Sequence, residues 1–223
     1  MTKRHSKRSS IPKTWAGILK KEEKYILKTE PGPHRKELSM PLEVVLKILG
    51  FAQTKREAKK ILNTKNIIVD GRRIKSSKFP VGLFDVLTIT ETGENFRGTL
   101  DENGQLLFKP IKKENSKLKA SKIIGKTVIR GGKIQINLSD ARNIITEKTQ
   151  NKVGDTLLIE VPEQKVVKHL PLEKGAKILL IAGKHSGDKG TVEKIEGERL
   201  VYKNKESIIT LKEYAFVLPE EME

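Results

Sequence analysis

Thr54-Lys55-Arg56-Glu57-Ala58-Lys59-Lys60-Ile61-Leu62, followed by Asn66-Ile67-Ile68-Val69-Asp70-Gly71-Arg72-Arg73-Ile74, is the stretch on which the fold turns. Thr54 and Glu57 stand three residues apart, a capping box whose hydroxyl and carboxylate satisfy the free amides of a helix start. The helix begun there runs to about Leu62. At about 100° per residue it gathers Ala58, Ile61 and Leu62 on one side and Lys55, Arg56, Lys59 and Lys60 on the opposite side. Every charged position on that second side is basic, with no acidic i+4 partner among them, so the uncompensated repulsion asks for an external anion. Asp70-Gly71, between two apolar runs, suits the positive φ values of a type I′ hairpin turn. Arg72 and Arg73 leave the turn directly, with Lys75 and Lys78 behind them, so the hairpin adds cations next to the helix face.

Working upstream, Leu42, Val45, Leu46 and Leu49 fall at i, i+3, i+4 and i+7. Pro41 suits a first helical position and Gly50 a C-terminal stop, so a helix of about two turns precedes the basic one. Working downstream, Val86-Leu87-Thr88-Ile89 reads as a strand that closes a small αα-plus-β unit.

The charge of the whole chain agrees with that local surface. Its 223 residues carry 45 Lys+Arg and 28 Asp+Glu, a formal net charge of +17, which favours a polyanionic partner. Residues 1–90 hold +13 of it and the remainder +4, so the main binding surface belongs to the first part. A hydrophobic content of 36% is enough for ordinary cores. With no cysteine there are no disulfides, thiol nucleophiles or zinc fingers, and the four histidines, His5, His34, His169 and His185, lack ligand spacing, so no metal is expected. The longest apolar run, Ile178 to Ala182, falls far short of the roughly 20 residues of a membrane span. The start of the chain has no signal-peptide core, and an intracellular soluble protein is expected. Phe, Tyr and Trp make up 4%, too few for base stacking to dominate the binding of a nucleic acid, so a nucleic-acid partner is expected to be held mainly through its phosphates.

Residues 1–40 carry Lys3, Arg4, Lys7, Arg8 and Lys13 among small polar residues, then Pro31-Gly32-Pro33. The expectation is a basic arm that orders only against phosphates, because a lone tryptophan, Trp15, is out of place in a mere tail. Docking of the arm on protein is the alternative. Residues 91–172 alternate apolar residues with turn signals, as in Leu106-Leu107-Phe108 and Thr156 to Pro162, and are expected to be mostly strands.

The capped basic helix, the Val69-Asp70-Gly71-Arg72 hairpin and Gly82-Leu83-Phe84-Asp85-Val86 together resemble the S-four-type RNA-binding domain, a module also found in pseudouridine synthases and tyrosyl-tRNA synthetases. Pro31-Gly32-Pro33-His34 before it, the stretches Ala58 to Leu62 and Phe79 to Leu83 within it, and Ile124-Gly125-Lys126-Thr127 and Gly131 to Leu138 after it are similar to small-subunit ribosomal protein four of the archaeal and eukaryotic type. Ile181-Ala182-Gly183-Lys184-His185-Ser186-Gly187-Asp188-Lys189-Gly190-Thr191-Val192 resembles a KOW motif, a nucleic-acid-binding loop on an SH3-like barrel. There Gly183, Gly187 and Gly190 permit positive-φ turns and close backbone approach, while Lys184 and Lys189, with His185, can meet phosphates; the alternative is a plain hairpin turn between two strands in which the glycines are purely structural. The family usually has His-Asp-Gly-Arg where this chain has Ser139-Asp140-Ala141-Arg142, which puts any role of that histidine or glycine in doubt.

The resemblance implies an α+β chain in four parts: a basic N-terminal arm (1–40), a small αα-β RNA-binding module (41–92), a mostly-β central domain (93–172) and a C-terminal SH3-like β-barrel of KOW type with a short tail (173–223). It implies a structural constituent of the small ribosomal subunit, cytoplasmic in the ribosome, whose partners are small-subunit rRNA and neighbouring small-subunit ribosomal proteins. No catalytic residue, cofactor, small-molecule substrate or membrane is implied. Gly125-Lys126-Thr127 ends like a P-loop, but Ala120 stands where its first glycine belongs. His185, Ser186 and Asp188 are too close in sequence for a catalytic triad. An RNA-modifying enzyme would need a separate catalytic domain in the 130-odd strand-like residues after the module, and a transcription factor would use its KOW barrel on polymerase.

Overall fold

The computed structural model describes residues 5–18, 24–64, 66–147, 150–204, 206–219 and 222. The architecture is mostly β with two α-helices, in two units: residues 1–99 with 105–117, and residues 100–104 with 118–223. None of the described helices is long and apolar enough to cross a membrane.

The first unit opens with an antiparallel pair, β1 (His5–Lys7) and β2 (Tyr25–Leu27), in the register Ser6↔Ile26. β3 (Ser39–Pro41) leads into α1 (Leu42–Ile48), then α2 (Lys55–Thr64), β4 (Ile67–Val69), β5 (Arg72–Arg73), β6 (Pro80–Gly82), β7 (Val86–Ile89), β8 (Glu94–Leu100) and β9 (Leu106–Ile111). β3 pairs with β6, and a five-stranded sheet has the order β5-β4-β7-β8-β9, so this sheet continues past residue 92, where the sequence pattern ends the module.

Pro41 is not the first residue of α1. Its ψ of 137° keeps it extended, paired with Pro80 as the last residue of β3, and the helix begins one residue later. The carbonyls of Phe79 and Ser77 accept the Leu42 and Glu43 amides, both at 2.9 Å, so the turn before β6 supplies the missing cap. Gly50, with φ of 79°, ends the helix as its sequence position implies.

The segment expected to be an arm waiting for phosphates is instead built into the first unit. Trp15, Ala16, Ile26 and Leu27 are buried. The Trp15 indole donates to the Lys36 carbonyl at 3.3 Å, and the Thr14 carbonyl accepts the Leu106 amide at 2.7 Å beside β9. Burying an indole whose N–H has a partner gains more than leaving it for an absent ligand.

In the second unit one five-stranded sheet joins β10 (Leu118–Val128), β11 (Ile134–Leu138), β12 (Asn143–Thr146), β13 (Thr156–Glu160) and β14 (Lys165–Leu170) in the order β12-β11-β10-β13-β14. Ile123, Ile136, Leu138, Leu157 and Ile159 form its core. A second sheet joins β15 (Lys177–Leu180), β16 (Lys189–Glu196), β17 (Arg199–Lys203), β18 (Ser207–Leu211) and β19 (Ala215–Val217) in the order β18-β17-β16-β15-β19. Ile178, Leu180, Val192, Leu200 and Tyr202 fill that one. The strand-rich middle region expected from alternation is therefore present, divided between the two units.

Candidate nucleic-acid interface

Local chemistry fixes the basic helix. The Thr54 hydroxyl accepts the Glu57 amide at 3.2 Å, and the Glu57 carboxylate accepts the Gln53 and Thr54 amides at 2.8 and 3.3 Å. The carboxylate also accepts the Thr54 hydroxyl at 2.9 Å, and the bonds it accepts, from the Gln53 amide first and then the Thr54 hydroxyl and amide, hold it below the usual carboxylate range. Its ionised form thus serves the positive end of α2. Ala58 and Leu62 are buried, Ile61 half-buried, and Lys55, Arg56, Lys59 and Lys60 exposed.

The structure divides those four cations. Lys55 and Lys59, continued one turn on by Asn63, line a groove of about 390 Å³ whose facing wall is Lys75 to Lys78. Arg56 and Lys60 lie outside that lining, further round the helix. His5, Leu27 and Glu30 complete the groove. Glu30 accepts the Ser76 hydroxyl at 2.9 Å and stands 3.8 Å from the Lys78 ammonium, so one carboxylate sits among four lysines. Asn63 could have been found by continuing the i+4 series. Glu30 and His5 could not, because the β1–β2 pair brings them in from a distant part of the chain.

The hairpin follows its turn chemistry. Asp70 and Gly71 have φ of 49° and 77°, and Val69 pairs with Arg72 across the two-residue turn. The buried Asp70 carboxylate accepts the Val86 amide at 2.9 Å, tying the turn to β7. Arg72 and Arg73 are exposed and lie outside the groove lining. On the module's other flank, the buried Asp85 accepts the Gly82 amide at 2.8 Å and lies 2.7 Å from Nε2 of the half-buried His34. A Cβ on Gly82 would meet the His34 ring at 2.4 Å, so His34 and Gly82 serve the scaffold.

Of the N-terminal cations, Lys7 and Lys13 are exposed, whereas the Arg8 guanidinium donates to the Ile18 carbonyl at 2.6 Å. Lys3 and Arg4 lie outside the described residues.

In the second unit Lys184 and Lys189 are exposed and His185 is half-buried, 3.5 Å from the Asp188 carboxylate. Asp188 also accepts the Tyr202 hydroxyl at 3.1 Å, and burial together with that bond pushes Tyr202 up to about 12. The three glycines have different roles. Gly183 and Gly187 have positive φ, 89° and 96°, whereas Gly190 does not. A Cβ on Gly190 would stand 2.5 Å from the Lys203 carbonyl oxygen, and one on Gly187 1.9 Å from that of Asp101. Their close approach is thus to the protein's own backbone.

A capped cationic helix sharing a groove with a basic segment, beside an arginine-bearing hairpin, defines a module of the S4-domain class. Comparison with known proteins agrees: the S4 domain matches residues 40–87, the RS4NT domain residues 2–37, and ribosomal family S4e residues 92–166. Small ribosomal subunit protein eS4 of Methanosphaera stadtmanae is 41% identical over 99% of this chain and 94% of its own. The same protein of Methanothermobacter thermautotrophicus is 39% identical over 97% and 93%, and that of Nanoarchaeum equitans 43% over 86% and 82%. The crystal structure of the 30S ribosomal protein S4e from Thermoplasma acidophilum superimposes with a TM-score of 0.70 at 30% identity, covering 81% of this chain and 94% of that one. The chain belongs to the ribosomal protein S4e family.

Proposed function

We propose that the chain is a structural constituent of the small ribosomal subunit, holding small-subunit rRNA on basic surfaces and meeting neighbouring ribosomal proteins in the cytoplasmic ribosome. The observation that carries the rRNA contact is the groove in which Lys55 and Lys59 face Lys75 and Lys78, within the part of the chain that matches the S4 domain. Four ammonium groups around one opening attract phosphate whatever the base sequence. Arg56, Lys60, Arg72 and Arg73 extend the cationic field, with Lys7 and Lys13 as further contacts.

The functional parts are residues 1–40, 41–92, 93–172 and 173–223, and the boundaries of the family matches support the first three. The last part is a KOW-type SH3-like barrel. Its five-stranded sheet around Ile178, Val192 and Tyr202 supports that reading, and Lys184, His185 and Lys189 form its RNA-facing loop.

Sedimentation of a native lysate through a high-salt sucrose gradient tests the assignment. Near one copy per small subunit is the expected result. Release to the top of the gradient would make the chain a transient assembly or modification factor instead.

A further inference from the structure

β11 turns one face to the core and the other to solvent, while its neighbour β10 is exposed on both faces from Lys126 to Val128 and β12 has no buried residue. Ile136 and Leu138 are buried, so the alternation of a strand directs Gln135 and Asn137 outward. Register sets Gly125, Asn137 and Asn143 in one cross-strand row and Thr127, Gln135 and Ile145 in the next. Gln135 Nε2 donates to Asn137 Oδ1 at 2.8 Å, and Asn137 Nδ2 to Thr127 Oγ1 at 3.5 Å. The two rows therefore present three amides, one hydroxyl and a single apolar side chain, Ile145, with no charged group.

That composition is not what the strand itself favours. Asparagine is depleted from strands, yet Asn137 and Asn143 stand directly opposite each other as the last pair of the β11–β12 ladder, beside its turn. A local choice that works against the fold is the kind expected where function requires it. Beyond the rows, the tip carries exposed Arg130 and Lys133 around Gly131 and Gly132, whose φ are 85° and 73°, and Lys133 stands 3.9 Å from the exposed Glu147 carboxylate.

We infer that this face docks in the minor groove of an A-form segment of the small-subunit rRNA, its amides pairing with 2′-hydroxyls and its tip cations with flanking phosphates. The inference rests on the rRNA reading above. The A-form minor groove is wide, shallow and lined by 2′-hydroxyls, which both donate and accept, and so does each side-chain amide. A flat row of amides fits that surface. A protein partner would call for aromatic or apolar anchors, and the two rows offer Ile145 alone, with Ile124 and Val128 exposed on β10 outside them.

The test uses the purified full chain and small-subunit rRNA, comparing wild type with Gln135→Val/Asn143→Val and with Lys55→Ala/Lys59→Ala. Valine raises strand propensity while removing the hydrogen-bonding groups, and a Gln135→Ala/Asn143→Ala pair guards against an effect of the added apolar surface. Affinity is read against salt, and 2′-hydroxyl acylation maps the protected nucleotides. Both sheet pairs are expected to weaken binding about tenfold without changing the salt slope, and to lose one discrete set of 2′-hydroxyl protections. The lysine pair is expected to lower the slope by about 0.7–0.9 for each phosphate no longer neutralised and to lose a different set. Unchanged affinity and footprint in the sheet variants, or a fall in their salt slope matching that of the lysine pair, overturns the minor-groove contact and leaves the lysine groove standing. If wild type protects no rRNA, the rRNA reading itself fails and this inference with it.

Discussion

Lys122 Nζ donates to the carbonyl oxygen of Ala215 at 2.6 Å, and to those of Glu213 and Lys212 at 2.7 and 3.1 Å. A lysine from β10 thus closes the turn before β19 and ties the two sheets of the second unit together. Burial lowers its pKa to about 8, opposed by Glu213 and reinforced by Lys212. Lys122→Met would remove the ammonium from three carbonyls, of which only that of Lys212 keeps another donor among the described residues, the Ala215 amide, and a loss of about 2–4 kcal/mol in chemical unfolding is expected.

The same lysine sets a pH dependence of unusual sign. Its folded pKa, about 8, lies below the ordinary 10.5, so between those values the unfolded chain binds more protons and stability rises with pH. Tyr202, held up at about 12 when folded, acts in the opposite direction only above its ordinary 10. Unfolding free energy of the wild type should therefore climb from pH 8 to 10, by no more than about 3 kcal/mol, and Lys122→Met should flatten that climb.

Ala141 shows what the departure from the family pattern costs. It has φ of 59° in the tight turn between β11 and β12, where the Leu138 amide donates to the Arg142 carbonyl at 2.9 Å. The glycine usual there fits the left-handed region without a Cβ penalty, whereas alanine carries a cost of about 1–2 kcal/mol, partly offset by its smaller unfolded entropy. Ala141→Gly should raise stability by about 0.5–1 kcal/mol, seen as a melting temperature a few degrees higher.

Neighbouring residues leave in the sequence whatever they decide among themselves. Thr54 and Glu57 form their own cap, and Asp70-Gly71 their own turn, because both act within four residues. The burial of Trp15 is not legible in this way, because its bridge partner, Leu106, lies in a strand far along the chain. The cations of α2 are legible as a face. Their division is not, since Lys55 and Lys59 are set apart only by the segment from Lys75 to Lys78 and by Glu30 arriving opposite them. Pro41 falls one residue outside its helix because pairing with Pro80, a tertiary contact, holds it extended.

Asp155 predicts the acid limb. Burial by itself would raise its pKa, but the amides of Leu172 and Lys152, at 3.0 and 2.7 Å, and His169, at 2.8 Å, outweigh it and hold the carboxyl below its ordinary 3.8. The folded pKa being depressed, this contribution is present above pH 3.8 and is lost as pH falls through the folded value. Acid unfolding followed below pH 4 should be less steep in Asp155→Asn than in wild type. That variant should also be weaker at pH 7, since its amide cannot accept as many bonds as the carboxylate.

The groove on α2 yields the sharpest separation of charge from position. Lys55→Ala/Lys59→Ala and Arg56→Ala/Lys60→Ala each remove two positive charges from one helix, yet only the first pair shares an opening with Lys75 and Lys78. A phosphate seated there enters an opening lined by four lysines, whereas Arg56 and Lys60 lie outside that lining. The first pair should weaken rRNA binding more than the second, with the salt slope falling by about 0.7–0.9 for each phosphate no longer neutralised. Equal weakening by both pairs would show a diffuse cationic field with no preferred seat. Glu30 gives the converse test, because its carboxylate stands in the groove 3.8 Å from Lys78 and repels an entering phosphate. Glu30→Gln keeps a side-chain acceptor for Ser76 and removes the charge, so rRNA binding should tighten about threefold at low salt and lose that gain as salt screens it.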